Sequence, residues 1–236
     1  MRHALFLGFA LALVGGCTDP DPIAVLDAGP DVKDARDDVK TDGPGPDASK
    51  GCPPGEVSSF SPTWVAPKPA SASCSPAAID QYAKDCLDPQ TRSTSACTAF
   101  QNANKACVAC LVTPESSSSY GASILRSNGV ISLNVGGCIA LLSGDLGATG
   151  CGGKYEASRQ CSATACDACP IPEGDDAAFQ AYLKCLSDAE KTVCKSYAGA
   201  VCPAPDAGAV AACELDGATF VDNFKKLAPL FCAAGG

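Results

Sequence analysis

The stretch Asp176-Ala-Ala-Phe179-Gln-Ala-Tyr182-Leu183-Lys-Cys185-Leu186-Ser187 decides the class of this chain. Phe179, Tyr182, Leu183 and Leu186 recur at i, i+3, i+4 and i+7, the stripe that one helix face presents to a core. A cysteine, Cys185, rides the same turns. The pairing of helical pattern with cysteine repeats outward. Ser75-Pro76-Ala77 is a helix start, with Ser as cap and Pro in the first turn. That helix runs to about Leu87, where Asp88-Pro89 stops it. Phe100, Cys107 and Leu111 predict a helix from about 93 to 111, and further helices are expected near 189–201, 207–214 and 217–232. The fold class is therefore mainly α and disulfide-rich, built of several short helices or helical hairpins.

The centre departs from this pattern. Ala122 to Ser127 and Val130 to Val135 are apolar-rich runs on either side of Asn128-Gly129, which predicts one small β-hairpin near 122–135. Asn134 or Gly136 then opens a short helix through Cys138 to Leu142, and residues 144–153 read as a Gly-rich loop. Two echoes lie either side of this centre. Ala77-Ala78-Ile79 to Cys86-Leu87 matches Ala177-Ala178-Phe179 to Cys185-Leu186 with one residue deleted, which suggests an internal duplication of about 75–110 and 175–202. Ala106-Cys107-Val-Ala-Cys110 likewise matches Ala165-Cys166-Asp-Ala-Cys169.

Residues 18–50 contain nine Asp, five Pro and no aromatic residue or cysteine. Nine acids against Lys33, Arg36, Lys40 and Lys50 leave a charge of −5. So little apolar surface cannot offset the entropy of ordering, so a disordered, extended tether is expected here. Cysteines resume at Cys52, which places the domain at 51–236, with 51–70 as an irregular arm anchored by Trp64. Ahead of the tether, Met1-Arg2-His3 and the apolar run Ala4 to Val14 describe a secretory signal, too short to span a bilayer. Val14-Gly15-Gly16-Cys17 resembles the lipobox of bacterial lipoproteins over residues 1–17. The resemblance implies cleavage after residue 16 and a diacylglyceryl group on the Cys17 thiol. It also implies a lipid-anchored protein of the bacterial cell envelope, with the membrane as its partner. Thr18 in place of an Asp directly after the cysteine leans towards the outer membrane.

Seventeen cysteines then divide into one lipidation site and sixteen in a 186-residue domain, about 9% and within the range of a disulfide scaffold. Cys52, Cys74, Cys86, Cys97, Cys107, Cys110, Cys138, Cys151, Cys161, Cys166, Cys169, Cys185, Cys194, Cys202, Cys213 and Cys232 are assigned to structural disulfides. Their partners stay open, since sixteen cysteines admit about two million connectivities.

The chemistry is narrowed by what the chain lacks. With the signal removed, no His remains, which excludes Ser-His-Asp and Cys-His nucleophile systems and His-bearing metal or haem sites. A formal charge of −9 argues against nucleic acid. The stretch from Gly144 to Lys154 resembles a phosphate loop only loosely, because Ala148 and Tyr155 stand where Gly and Ser/Thr are required. No cofactor, metal or catalytic residue is expected. Asp80, Asp175, Asp176 and Asp206 read as solvated helix surface. The expected role is a binding or envelope-structural domain, with a protein or envelope component as ligand. Two alternatives stay open: a His-free hydrolase built on carboxylates, and an envelope dithiol-disulfide oxidoreductase using a Cys-x-x-Cys pair.

Overall fold

A computed structural model describes residues 51–127, 129–170, 176–198, 202, 206–217 and 219–233. Signal, Cys17 and tether lie outside the described residues. Within them the chain is mainly helical, with a small sheet at its centre and eight disulfides.

The first unit is a helical hairpin. Helix α1, Pro76–Tyr82, is capped by Ser75, whose hydroxyl accepts from the Ala78 amide. It continues as a π-turn, Ala83–Leu87, and stops at Asp88. The return arm is two helices rather than one continuous helix, α2 (Thr94–Ala103) and α3 (Lys105–Leu111). Asn104 breaks it: its side-chain amide donates to the Phe100 carbonyl at 3.0 Å, and an Asn that bonds its own backbone competes with the helix. Cys74–Cys107 and, inside it, Cys86–Cys97 lace the two arms together.

Strands β2 (Ser123–Leu125) and β3 (Ile131–Leu133) form the expected antiparallel hairpin, with Ile124 opposite Ser132. Gly129 has φ +84, the left-handed conformation that its turn requires; Asn128 lies outside the described residues. A third strand, β1 (Val112–Pro114), pairs parallel to β2. The approach there is close: a Cβ on Gly121 would stand 1.9 Å from the Cys110 carbonyl oxygen. Asn134 follows β3 and caps α4 (Val135–Ser143) by accepting from the Gly137 amide at 2.9 Å. Its own amide donates to the Gly121 carbonyl at 2.9 Å, fixing the helix to the sheet.

The Gly-rich loop is shorter than its composition predicts. It ends at Gly150, and Cys151 opens α5, Cys151–Ala165. Gly152 lies inside that helix because α4 passes too close for a side chain, and Gly153 because a Cβ there would stand 2.4 Å from the Ala148 carbonyl oxygen in the preceding loop. A Cβ on Gly152 would fall 2.2 Å from the Gly136 carbonyl oxygen, and one on Gly136 would fall 2.9 Å from that of Gly152. Glycine is poor for helix propensity and necessary here for packing.

Helix α5 is the first arm of a second hairpin, returned by α6 (Asp176–Lys191) and α7 (Lys195–Ala198). Three nested bridges lace it: Cys166–Cys185, Cys161–Cys194 and Cys151–Cys202. The buried line on α6 is Ala178, Tyr182, Cys185, Leu186 and Ala189, with Phe179 and Leu183 half-buried at its flank. The bridge at Cys185 turns the helix by about one residue from the purely apolar stripe. Of the helix expected over 189–201, the described part is the end of α6 and the short α7.

The bridges also locate the echoing segments. Cys86 bonds forward to Cys97, whereas Cys185 bonds backward to Cys166. Segment 77–87 is thus the first arm of its hairpin and 177–186 the second arm of the other, so the two stand at non-equivalent places. The chain closes with α8 (Ala207–Cys213) and α9 (Phe220–Cys232). Thr219 and Asp222 form a capping box at the start of α9. Cys138–Cys213 and Cys110–Cys232 tie these helices to α4 and α3.

Two cores result. The larger gathers Phe224, Phe231, Leu227, Leu87, Leu111 and Ile139 between the first hairpin, α4 and α9. The smaller lies inside the second hairpin, where Cys161, Cys166, Cys169, Cys185 and Cys194 make up most of the buried set.

Candidate functional site

The cysteines serve structure. Cys107 bonds Cys74 and Cys110 bonds Cys232, while Cys166 bonds Cys185 and Cys169 bonds Cys52. Each Cys-x-x-Cys is therefore split between two bridges, and all four sulfurs belong to buried residues. A dithiol oxidoreductase closes its motif on itself and keeps one sulfur accessible, so the oxidoreductase alternative is corrected. Cys52, Cys169 and Cys185 bring three sulfurs within 4.8 Å of one another. All three are oxidised, and a metal ligand must be a thiolate.

The Gly-rich loop does not cradle phosphate either. The Asp145 carboxylate accepts from the Gly147 amide at 2.9 Å and lies against Gly150, placing negative charge where an anion would sit. Asp80 is exposed and pairs with Lys225 at 3.3 Å. Asp206 adjoins α8, Asp176 begins α6, and Asp175 lies outside the described residues.

The concave site lies elsewhere, between the 51–70 arm, the sheet and α5. A cavity of about 390 Å³ is lined by Thr63, Trp64, Glu115, Tyr120, Arg126 and Glu156, among others. A smaller one of about 120 Å³ shares Arg126, Glu156 and Gln160 with it and adds Ser132, Arg159 and Asn223, with Leu133, Leu215 and Phe220 as apolar wall. The arm is held over the larger cavity by side chains. Gln160 accepts from the Thr63 amide at 2.9 Å and donates to the Thr63 carbonyl at 2.8 Å. The Trp64 indole donates to the Leu146 carbonyl at 2.9 Å. Trp64 is half-buried and both anchors the arm and lines the cavity.

The polar groups are ordered by one another. Arg126 donates through Nε to the Ser132 hydroxyl at 3.0 Å and through Nη1 to Glu115 at 3.1 Å. The Ser127 amide donates to the second Glu115 oxygen at 2.9 Å, and the Tyr120 hydroxyl donates to the Glu115 carbonyl at 2.8 Å. The Ser127 amide, with the Arg126 guanidinium, holds the Glu115 carboxyl below the usual carboxylate range. Burial works against the charge on Arg159, but neighbouring Tyr155 and Glu156 more than offset it and hold the guanidinium above its ordinary value. Among the described residues no carboxylate lies within ion-pair distance of Arg159.

Sequence reasoning named Trp64 and missed the rest of this lining. Glu156, Arg159 and Gln160 stand at i, i+3 and i+4 on α5, a pattern visible only once 151–165 is read as helix. Glu115 and Arg126 are brought in by the sheet and carry no local signal. No helix among the described residues is long and apolar enough to cross a membrane. No protein-family model, curated protein or solved structure matches the chain.

Proposed function

We propose that this chain is an exported bacterial lipoprotein, anchored in the cell envelope through a lipid on Cys17. On this reading residues 18–50 are a tether, and the disulfide-closed domain binds a small ligand in the cleft beneath the arm. The observation that carries the reading is the closed disulfide set. Eight bridges use every cysteine from Cys52 to Cys232, so the seventeenth, inside Val14-Gly15-Gly16-Cys17, is left for a different chemistry. Eight bridges also require an oxidising compartment, which an exported protein reaches.

Binding suits the cleft better than hydrolysis does. A carboxylate hydrolase needs one carboxyl that keeps its proton near neutral pH. Glu115 is shifted the other way, and its oxygens are occupied by Arg126 and Ser127.

The test is fractionation of cells expressing the full chain or Cys17→Ser, with a labelled fatty acid. The wild-type chain should take up the label and stay with membranes, while Cys17→Ser should do neither. Unchanged membrane retention and label in Cys17→Ser would overturn the anchor.

A further inference from the structure

The eight bridges are not equally shielded. In seven of them at least one of the two cysteines is buried. In the eighth, Cys86–Cys97, both are only half-buried. That bridge also joins residues only 11 apart, the shortest separation in the set, so it gains the least from loop closure. Access to an attacking thiol and weak stabilisation are what separate labile bridges from inert ones. Here the two coincide.

The backbone around the bridge is built differently from the rest of the hairpin. Cys86 lies in the π-turn Ala83–Leu87, where the Asp88 amide reaches back five residues to the Ala83 carbonyl at 2.9 Å. Single π-turns recur at functional sites. The carbonyls of Lys84 and Asp85 accept from the Thr91 hydroxyl at 2.8 Å and the Ser93 amide at 3.0 Å. The connection between the arms is thus strapped to the π-turn by hydrogen bonds beside the disulfide. The base of the hairpin has a separate hold. Cys74–Cys107 closes it, and Tyr82, Leu87 and Phe100 are buried in the larger core. Cutting Cys86–Cys97 would therefore free the tip and leave the base packed.

The two sulfurs are not equivalent. Cys97 lies at the end of the first turn of α2, near its positive end, and Cys86 lies in the last turn of its own helix, near the negative end. Lys84 and Asp85 flank Cys86 with opposite charges, so the helix ends decide. A thiolate leaves more readily where a helix N-terminus stabilises it. Attack should fall on the Cys86 sulfur, with Cys97 leaving.

We propose that Cys86–Cys97 is a thiol-exchange site, opened by an external dithiol, that unlocks the tip of the first hairpin between residues 83 and 97. One thiolate of the dithiol bonds the Cys86 Sγ, and the bond between the two cysteine sulfurs breaks to release Cys97 as a thiolate. The second thiolate of the dithiol then attacks its own sulfur in the mixed disulfide and releases Cys86. The dithiol gives up two electrons and two protons and becomes a disulfide, and the two cysteines take them up as thiols. The proposal goes beyond the anchor and the cleft and depends on neither.

The experiment is limited reduction of the full chain in mild detergent, without denaturant, by dithiothreitol. Free thiols are alkylated at intervals and mapped by peptide mass spectrometry. Cys86 and Cys97 should become labelled at least about tenfold faster than any other pair. With 2-mercaptoethanol, which cannot complete the second step, the adduct should sit on Cys86 and the alkyl label on Cys97. Hydrogen exchange of the selectively reduced chain should rise over 83–97 and stay low in α9, and the oxidised form of dithiothreitol should reverse it. Cys86→Ser/Cys97→Ser should reproduce that exchange pattern; the wild-type labelling order decides the matter by itself if this variant does not fold. Three results would overturn the proposal. They are another pair labelled first or all pairs together, an adduct chiefly on Cys97, or loss of protection in α9 along with the tip. None of them bears on the anchor, which fails only in the fractionation.

Discussion

Both hairpins are laced by nested disulfides, yet the material between their arms differs. Around residues 74–107 the bridges enclose an ordinary core, in which Phe224, Phe231 and Leu227 from α9 fill the space against Tyr82, Leu87 and Leu111. Within 151–202 the buried set is mostly sulfur and small side chains, with Tyr182 and Leu186 as its larger members. Burial of a large apolar side chain contributes about 1.5–3 kcal/mol, so the first region has several such contributions and the second few. The second hairpin replaces packing with covalent closure, as small domains do when their core is insufficient. Its folded state depends on an oxidising environment to a degree that the first does not.

The sharpest way to break this comparison uses two bridges of equal span. Cys74–Cys107 and Cys161–Cys194 both join residues 33 apart. Chain entropy alone predicts the same loss from either, about 4 kcal/mol. Replacing each pair by alanine and following hydrogen exchange should separate them. Without Cys161–Cys194, α6 should exchange freely while α9 stays protected. Without Cys74–Cys107, the loss should be shared over α1, α3 and α9. Equal, global loss of protection in both variants would dissolve the distinction.

Alkaline titration ranks second. Burial pushes the Tyr82 hydroxyl up to about 12 from an unfolded value of about 10. Below pH 10 it is neutral in both states and stability is level. Between pH 10 and 12 the unfolded chain ionises and the folded chain does not, so stability falls, by about 3 kcal/mol in all. Tyr182, in the second core, is also raised by burial, with Arg159 opposing it. Tyr82→Phe should flatten more of the fall in denaturant midpoint than Tyr182→Phe. The reverse order would show that the second core is the drier one.

Much of the first region was legible in the sequence, and the second shows why legibility stops. Ser75-Pro76, Asp88-Pro89 and the turn at Gly129 act through local backbone preferences, so composition reports them. The stripe on α6 was legible for the same reason, although the bridge at Cys185 shifted its buried line. The start of α5 was hidden because Gly152 is there for the backbone of α4, which is distant information. The bridges and the cleft were hidden for a related reason. Glu115, Arg126 and Arg159 meet only after the sheet and α5 have packed, and no spacing in the chain encodes that meeting.

Two smaller substitutions sharpen the contrast. Asn134 is 5% exposed and holds the α4 cap and the Gly121 carbonyl at once. Asn134→Ala should cost about 2 kcal/mol in chemical denaturation. Because α4 crosses α5 closely at Gly136 and Gly152, protection should drop in both regions; a drop confined to the sheet would show that the regions are uncoupled. The smallest effect has the opposite sign. Ser162 in α5 is the one buried side chain among the described residues whose hydroxyl lacks a hydrogen-bond partner. Ser162→Ala should raise stability by about 1 kcal/mol, read as a higher denaturant midpoint. A lower midpoint would mean that the hydroxyl is satisfied after all.

The bridge Cys52–Cys169 precedes Thr63 and Trp64 in the chain. A pull arriving from the N-terminal side therefore passes through a covalent bond into the second hairpin before it can reach the roof of the cleft. That roof hangs on the two Thr63–Gln160 bonds and the Trp64–Leu146 bond, which would yield first if the load ran through them. A load entering at Cys52 and leaving through the second hairpin would bypass the roof and leave the shape of the cleft unchanged.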